Sequence, residues 1–173
     1  MTYFVVDIEA DGPALGMHSM VSFGAVVLSE QLDHTFFGQL RPISEHWVPK
    51  ALAVTGYTRE ETLAFPEPEV VISSFVAWVK AHTARGTHPQ FVSDNNGFDF
   101  GFMSYYLWRF AGANPFGHSS RNMSDLYRGM QKRMKCSFTH LKETVHDHNP
   151  VNDALGNAEA LLKMRDMGLR IRL

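Results

Sequence analysis

Residues 3–9 read Tyr3-Phe4-Val5-Val6-Asp7-Ile8-Glu9, an apolar run that closes on two carboxylates two residues apart. Strand side chains alternate with a period of two, so Asp7 and Glu9 point to one face of one element. Neighbouring like charges repel, and burying them without a counter-charge costs several kcal/mol. A chain that folds around this strand must bring a cation to the pair or let the strand end reach solvent. Asp-x-Glu by itself is compatible with both outcomes, and the rest of the chain has to decide between them.

The chain has 173 residues, the length of a single domain (1–173) with room for a sizeable core. No stretch approaches the roughly 18 consecutive apolar residues of a membrane span. The first residues run straight into strand-like sequence, without the basic and apolar segments of a secretory leader. Cys136 is the only cysteine, which precludes an intrachain disulfide. The expectation is a reducing, cytoplasmic setting with no membrane partner. A net charge of −2 argues against tight, non-specific coating of a duplex. It leaves a nucleic-acid substrate open, because part of that charge belongs to acids that a divalent cation would neutralise.

Periodicity orders the chain. Residues 3–9, 20–28 and 34–40 read as three strands joined by short connections, an antiparallel meander. A short helix over 49–55 stops at Gly56. From Pro68, Val71, Phe75, Trp78 and Val79 recur at helical spacing. Residues 89–94 read as a fourth strand and 98–110 as a second amphipathic helix. The last helix starts near Val151, with Ala154, Leu155, Ala158, Leu161 and Leu162 as its buried stripe. A meander followed by alternating strands and helices is an α/β sheet covered by helices.

Further acids fall at the edges of these elements. Asp99 sits just after the fourth strand, in the first turn of a helix, where the helix dipole favours a carboxylate by about 0.3–1 kcal/mol. In His148-Asn149-Pro150-Val151-Asn152-Asp153 a histidine precedes an aspartate by five residues. Pro150 and Asn152 mark a helix start, which puts Asp153 in its first turn and His148 on the loop before it. Taken singly, each is compatible with an ordinary surface role. Together Asp7, Glu9, Asp99 and Asp153 are an all-oxygen set suited to Mg²⁺ or Mn²⁺. Zinc fits less well, since no cysteine pair and no His-x-x-x-His helix accompanies the acids. Two hard cations about 3.5–4 Å apart clamp the attacking and leaving oxygens of a phosphoryl displacement, and a neutral imidazole such as His148 can take a proton from water.

The order Asp7-x-Glu9, Asp99 within Asn-x-x-Phe-Asp, then His148-x-x-x-x-Asp153 resembles the DEDDh exonucleases, which include proofreading domains, oligoribonuclease and ribonuclease T. The likeness extends to Val21-Ser22-Phe23-Gly24-Ala25-Val26, to Val54-Thr55-Gly56-Tyr57-Thr58 and to Asp125-Leu126, and covers about residues 3–165. It implies a ribonuclease H-like α/β fold with a five-stranded mixed sheet flanked by helices. It also implies a hydrolase that releases nucleoside 5′-monophosphates from the 3′ end of single-stranded RNA or DNA with two divalent ions, Mg²⁺ or Mn²⁺. Asp7, Glu9, Asp99 and Asp153 would hold the metals and His148 would activate water. Asn95 would order the turn before Asp99. Ala10, Asp11 and Gly12 would approach the terminal nucleotide.

The chain departs from this pattern in places. Asp11 stands where the family commonly has a hydroxyl residue, and Asp94 where it commonly has histidine. The usual Leu or Met wedge is missing from the first motif, leaving Leu15, Met17 and Phe102 as substitutes. His140 and His146 flank the last motif, yet spacing gives no reason to prefer either over His148. The run Arg121, Arg128, Lys132, Arg133 and Lys135 reads as a solvated helix face. Its functional reading is a rim that tracks phosphates or borders a partner's site in a homodimer. Two other functions remain in play: a nucleic-acid-binding module that has kept the fold without catalysis, and a ribonuclease H-type endonuclease. The stretch from Asn114 to Leu126 leans towards exoribonucleases, so RNA is favoured over DNA.

Overall fold

The computed structural model describes residues Met1–Leu173. Its elements in chain order are β1 (Thr2–Ala10), β2 (Met20–Val27), β3 (Thr35–Gln39), α1 (Pro49–Val54), α2 (Arg59–Leu63), α3 (Pro68–His82) and β4 (Pro89–Ser93). There follow α4 (Asp99–Tyr106), continued by a π-helical turn over Leu107–Ala111, then β5 (Ser120–Asn122) and α5 (Met123–Gln131). A short 3₁₀ turn at Thr139–Leu141 leads to α6 (Pro150–Asp166). The five strands lie in the order β3-β2-β1-β4-β5. The first three form the expected antiparallel meander, whereas β4 and β5 run parallel to β1, so the sheet is mixed. No helix is long and apolar enough to cross a membrane.

As the central strand, β1 has two different faces. Phe4, Val6, Ile8 and Ala10 pack into a core with Ile72, Phe75 and Val79 of α3 and Phe102, Met103 and Tyr106 of α4. Val5 points the other way, into a second core with Val92, Met123, Tyr127 and Ala154, Ala158 and Leu161 of α6. Asp7 and Glu9 share the parity of Val5. The face turned towards α6 therefore changes from apolar to acidic as the strand proceeds, while the opposite face stays apolar to its end.

The first turn of α6 closes over that acidic end. Asn149 caps the helix through its side-chain oxygen, which accepts from the amides of Val151 and Asn152, and Pro150 at the first position supplies the φ the helix needs. The register sets Gly24 of β2 opposite Asp7. A Cβ on Gly24 would lie 2.3 Å from the carbonyl of Pro150 and 2.4 Å from the amide of Val151. Only glycine lets the helix backbone rest on the strand here.

Two elements escape the periodicity reading. The strand β5 has three residues, Ser-Arg-Asn, and no apolar alternation to betray it. It forms because parallel pairing with β4 satisfies its backbone. The helix α2 has five residues and depends on a capping box, in which Thr58 and Glu61 each bond the other's backbone amide. The predicted single helix over 98–110 divides, because a wider turn begins at Leu107 and ends at Gly112 in the left-handed region (φ 66°).

The close approach at Gly24 generates a test. Gly24→Ala should lower the free energy of unfolding by about 1–3 kcal/mol, the cost of overpacking a well-filled contact, or more if α6 cannot shift. Urea denaturation of the two proteins measures it.

Candidate active site

Four acids converge where β1, β4 and the start of α6 meet. Asp7 and Glu9 come from the acidic end of β1. Asp153, buried in the first turn of α6, brings a carboxylate oxygen to within 4.8 Å of both. Asp99 opens α4, also buried, and its Oδ2 accepts from the Asn95 amide at 3.2 Å. Asp94 stands partly exposed in the same turn.

The electrostatics follow from this crowding. Burial is the largest influence on Asp7 and pushes its carboxyl well above the ordinary range. Repulsion from Asp99, Asp153, Asp94 and Glu9 adds to it. Glu9 is raised to about 7, first by burial and then by Asp153, with His146 working in the opposite direction. Asp99 is raised to about 8 by burial and Asp94, against hydrogen bonds from Ser93 and the Asn95 and Ile8 backbone. Asp153 uses one oxygen only. Its Oδ1 faces His146 Nδ1 at 2.8 Å and the Asp147 amide at 3.3 Å, while Oδ2 is buried without a partner. An orphaned carboxylate oxygen among three carboxyls driven towards neutrality is the donor set of a cation site. The residues present fit a metal ion.

His148 lies on the loop before α6 with its Nδ1 3.5 Å from Glu9 Oε1, its side chain about half exposed. Its backbone is left-handed (φ 60°), a conformation that costs a non-glycine residue about 1 kcal/mol. Asp147 holds the loop in that shape, accepting from the Asn149 amide at 3.0 Å and from Asn152 Nδ2 at 2.8 Å.

The five residues singled out in the sequence thus come together. The neighbours expected to meet a terminal nucleotide fare differently. Asp11 is fully buried and bonded within the protein: Oδ1 accepts from the Ser19 amide at 2.6 Å and Oδ2 from Arg59 Nη1 at 2.8 Å. The acid in place of a hydroxyl residue is therefore an internal strut, needed because Arg59 is itself nearly buried. Ala10 is buried in the first core, and Gly12 leaves room for the His18 ring, which a Cβ would meet at 2.2 Å. Phe102 is 1% exposed and packs on Phe98, so it is core and not a wedge. Met17 and Leu15 remain exposed, with Leu15 lying 4.0 Å from the space above Gly101 of α4. Asn95 orders the turn before α4 through its backbone, whose carbonyl accepts from Phe98 and Asp99.

Sequence reasoning passed over Asn96 and gave His146 no preference. With its amide nitrogen towards Ser93 Oγ (2.7 Å), the Asn96 oxygen accepts from the Asn122 amide at 2.9 Å and ties the turn to β5. His146, whose ring centroid is 4.3 Å from that of His148, contacts Asp153 directly. Spacing alone could not place it, because the left-handed backbone at His148 and the bonds of Asp147 fold this loop back onto α6.

In metal-free buffer the folded protein keeps protons on Asp7, Glu9 and Asp99 that the unfolded chain has already released. That contribution to stability is complete below about pH 4 and drains away as pH rises through the folded values, near 7 for Glu9 and near 8 for Asp99. Melting temperature without metal should therefore fall between about pH 5 and 8, and Asp7→Asn should flatten the decline. At the upper end the variant should melt roughly 2–4 °C higher than the parent, the shift that about 1 kcal/mol gives in a chain of this size. Calorimetry across that range reads both.

No protein-family model matches the chain. The 3′-5′ DNA exonuclease Cap18 of Escherichia coli is 33% identical over 162 residues, 89% of this chain and 86% of the relative. Among solved structures, the nuclease domain of 3′hExo, a DEDDh family member bound to rAMP, superimposes with a TM-score of 0.79 at 18% identity over 99% of this chain and 94% of that one. Cell-death related nuclease 4 gives 0.75 at 18% identity, over 96% and 64%. The two structures share the mixed sheet and its helices, and the Escherichia coli relative carries the likeness into the sequence. With Asp7, Glu9, Asp99, His148 and Asp153 gathered at one end of β1, the chain belongs to the DEDDh family of 3′-5′ exonucleases.

Proposed function

We propose that the protein removes nucleoside 5′-monophosphates one at a time from the 3′ end of single-stranded DNA. The observation that carries this reading is the convergence of four carboxylates from three elements beside a half-exposed imidazole. Neither a binding module nor an endonuclease of the ribonuclease H type calls for His148 at that place. Asp7, Glu9, Asp99 and Asp153 would hold two divalent cations, Mg²⁺ or Mn²⁺. Such ions, when bound, supply positive charge to the phosphoryl oxygens and acidify water.

The remaining work belongs to the chain. With Nδ1 of His148 turned to Glu9, Nε2 is the atom free to take the proton of the attacking water. The P–O bond to the 3′-oxygen of the next nucleotide breaks, and that oxygen leaves with a proton from solvent. Met17 and Leu15 offer apolar surface to the terminal base. Arg128, Lys132 and Arg133 line a cleft of about 420 Å³ whose sole acid is Asp125, a surface suited to phosphates of the strand. All five groups come from one chain, so the reaction calls for no second copy.

DNA takes precedence over the earlier lean to RNA for two reasons. The relative that resembles most of this chain is described as a DNA exonuclease. Two residues of the stretch that favoured RNA serve the fold: Phe116 is buried, and Asn114 bonds Ser104 Oγ and the Phe116 amide.

A 5′-labelled oligonucleotide, supplied as DNA and as RNA, tests the reading directly. A descending ladder should appear with Mg²⁺ or Mn²⁺ and vanish in excess chelator, with DNA shortened faster. Endonucleolytic fragments, or digestion that persists in chelator, would refute it. His148→Ala should slow hydrolysis roughly 10²–10⁴-fold with Mn²⁺ binding intact by calorimetry, since every carboxylate remains. Near-normal turnover would show that the histidine takes no proton.

A further inference from the structure

We propose that His146, His148 and Asp153 form a second site, overlapping the carboxylate cluster at Asp153, for a borderline transition-metal ion such as Zn²⁺, and that its occupation silences the exonuclease. Each residue offers one ligand atom, and the three atoms lie within 4.8 Å of one another. One pair, His146 Nδ1 and Asp153 Oδ1, is 2.8 Å apart. Ligand atoms bound to one tetrahedral zinc at about 2.0–2.1 Å stand roughly 3.3 Å from each other, so the trio needs only small movements to close on an ion. The two imidazoles can make them, because both side chains are about half exposed, whereas Asp153 is anchored in α6 with 1% exposure.

Asp153 presents its two oxygens differently: Oδ1 faces His146 at 2.8 Å, and Oδ2 is buried with no hydrogen-bond partner. The loop that carries both histidines is pinned to α6 by Asp147, so the rings stay beside that carboxylate. Ligand chemistry separates this site from the carboxylates of β1. Asp7, Glu9 and Asp153 are all oxygen and suit hard cations, whereas two imidazoles and one carboxylate favour zinc, cobalt, nickel or copper. Asp153 belongs to both sets, so the two occupancies compete. A metal on His148 also occupies the lone pair that would receive a proton. The inhibition, though not the binding, rests on the exonuclease reading.

Binding is read on the full chain, freed of metal and without nucleic acid, using Co²⁺ as the probe. Nitrogen ligation in a tetrahedral site should give intense visible absorption that Zn²⁺ abolishes by displacement. His146→Ala should weaken Zn²⁺ binding at least about 10-fold, the scale on which losing even an outer partner of a metal site is felt. The Zn²⁺ concentration that halves Mn²⁺-supported hydrolysis should rise by the same factor. A weak, octahedral Co²⁺ spectrum in the parent protein overturns the proposal, and decides the matter alone if His146→Ala and His146→Gln both fail to fold. Equal Zn²⁺ affinity in folded parent and variant overturns it as well. Tight binding that leaves hydrolysis untouched removes the silencing, while a protein that cleaves nothing removes the exonuclease reading and leaves the binding result standing.

Discussion

The contact between the backbone of Pro150 and Gly24 is what the rest of the site depends on. It fixes how closely α6 lies on β2, and with it the depth at which Asp153 is presented to Asp7 and Glu9. A side chain at position 24 would meet the Pro150–Val151 backbone and press the first turn of α6, which carries Asp153, away from β2. Asn149 and Pro150 start the helix at the right residue, and Ala154 and Ala158 keep its underside thin where it crosses the sheet. Small residues in register thus do the positioning, and the charged residues only occupy the place made for them.

The acids are stable in that place because the opposite face of β1 is strong. Phe4, Val6 and Ile8 are nearly sealed from solvent between two helices and a cluster of aromatic rings. Burying such side chains is worth about 1.5–3 kcal/mol each. Repulsion among Asp7, Glu9, Asp99 and Asp153 is a smaller, local charge against that core. The buried pair of Asp11 and Arg59 has a related part. It ties the chain just beyond Glu9 to α2, so the strand end that carries the acids cannot fray.

Much of this was legible in the sequence. The sequence located β1 to β4, α1, α3, α4 and α6, and the order of five chemical residues picked out groups that the fold brings together. What escaped has physical reasons. Ser-Arg-Asn in β5 has no side-chain period, and the strand exists through backbone pairing with β4 and the Asn96 amide. Asp11 had the type and position of a substrate contact, but its direction depends on Arg59, forty-eight residues away in the chain. Phe102 carried no mark to distinguish a wedge from a core ring. His146 was weighed against His148 by spacing alone, and spacing does not report that the loop folds back onto α6.

The raised carboxyls have a consequence for how the protein meets its ions. At neutral pH, protons still reside on Asp99 and in part on Glu9, so an arriving cation must evict them. Uptake of metal is therefore an exchange, ion in and hydrogen ions out, and its affinity climbs with pH even where the coordinating atoms do not move. The acidity of the surroundings becomes a second control on the enzyme, acting through occupancy of the site before any strand end arrives.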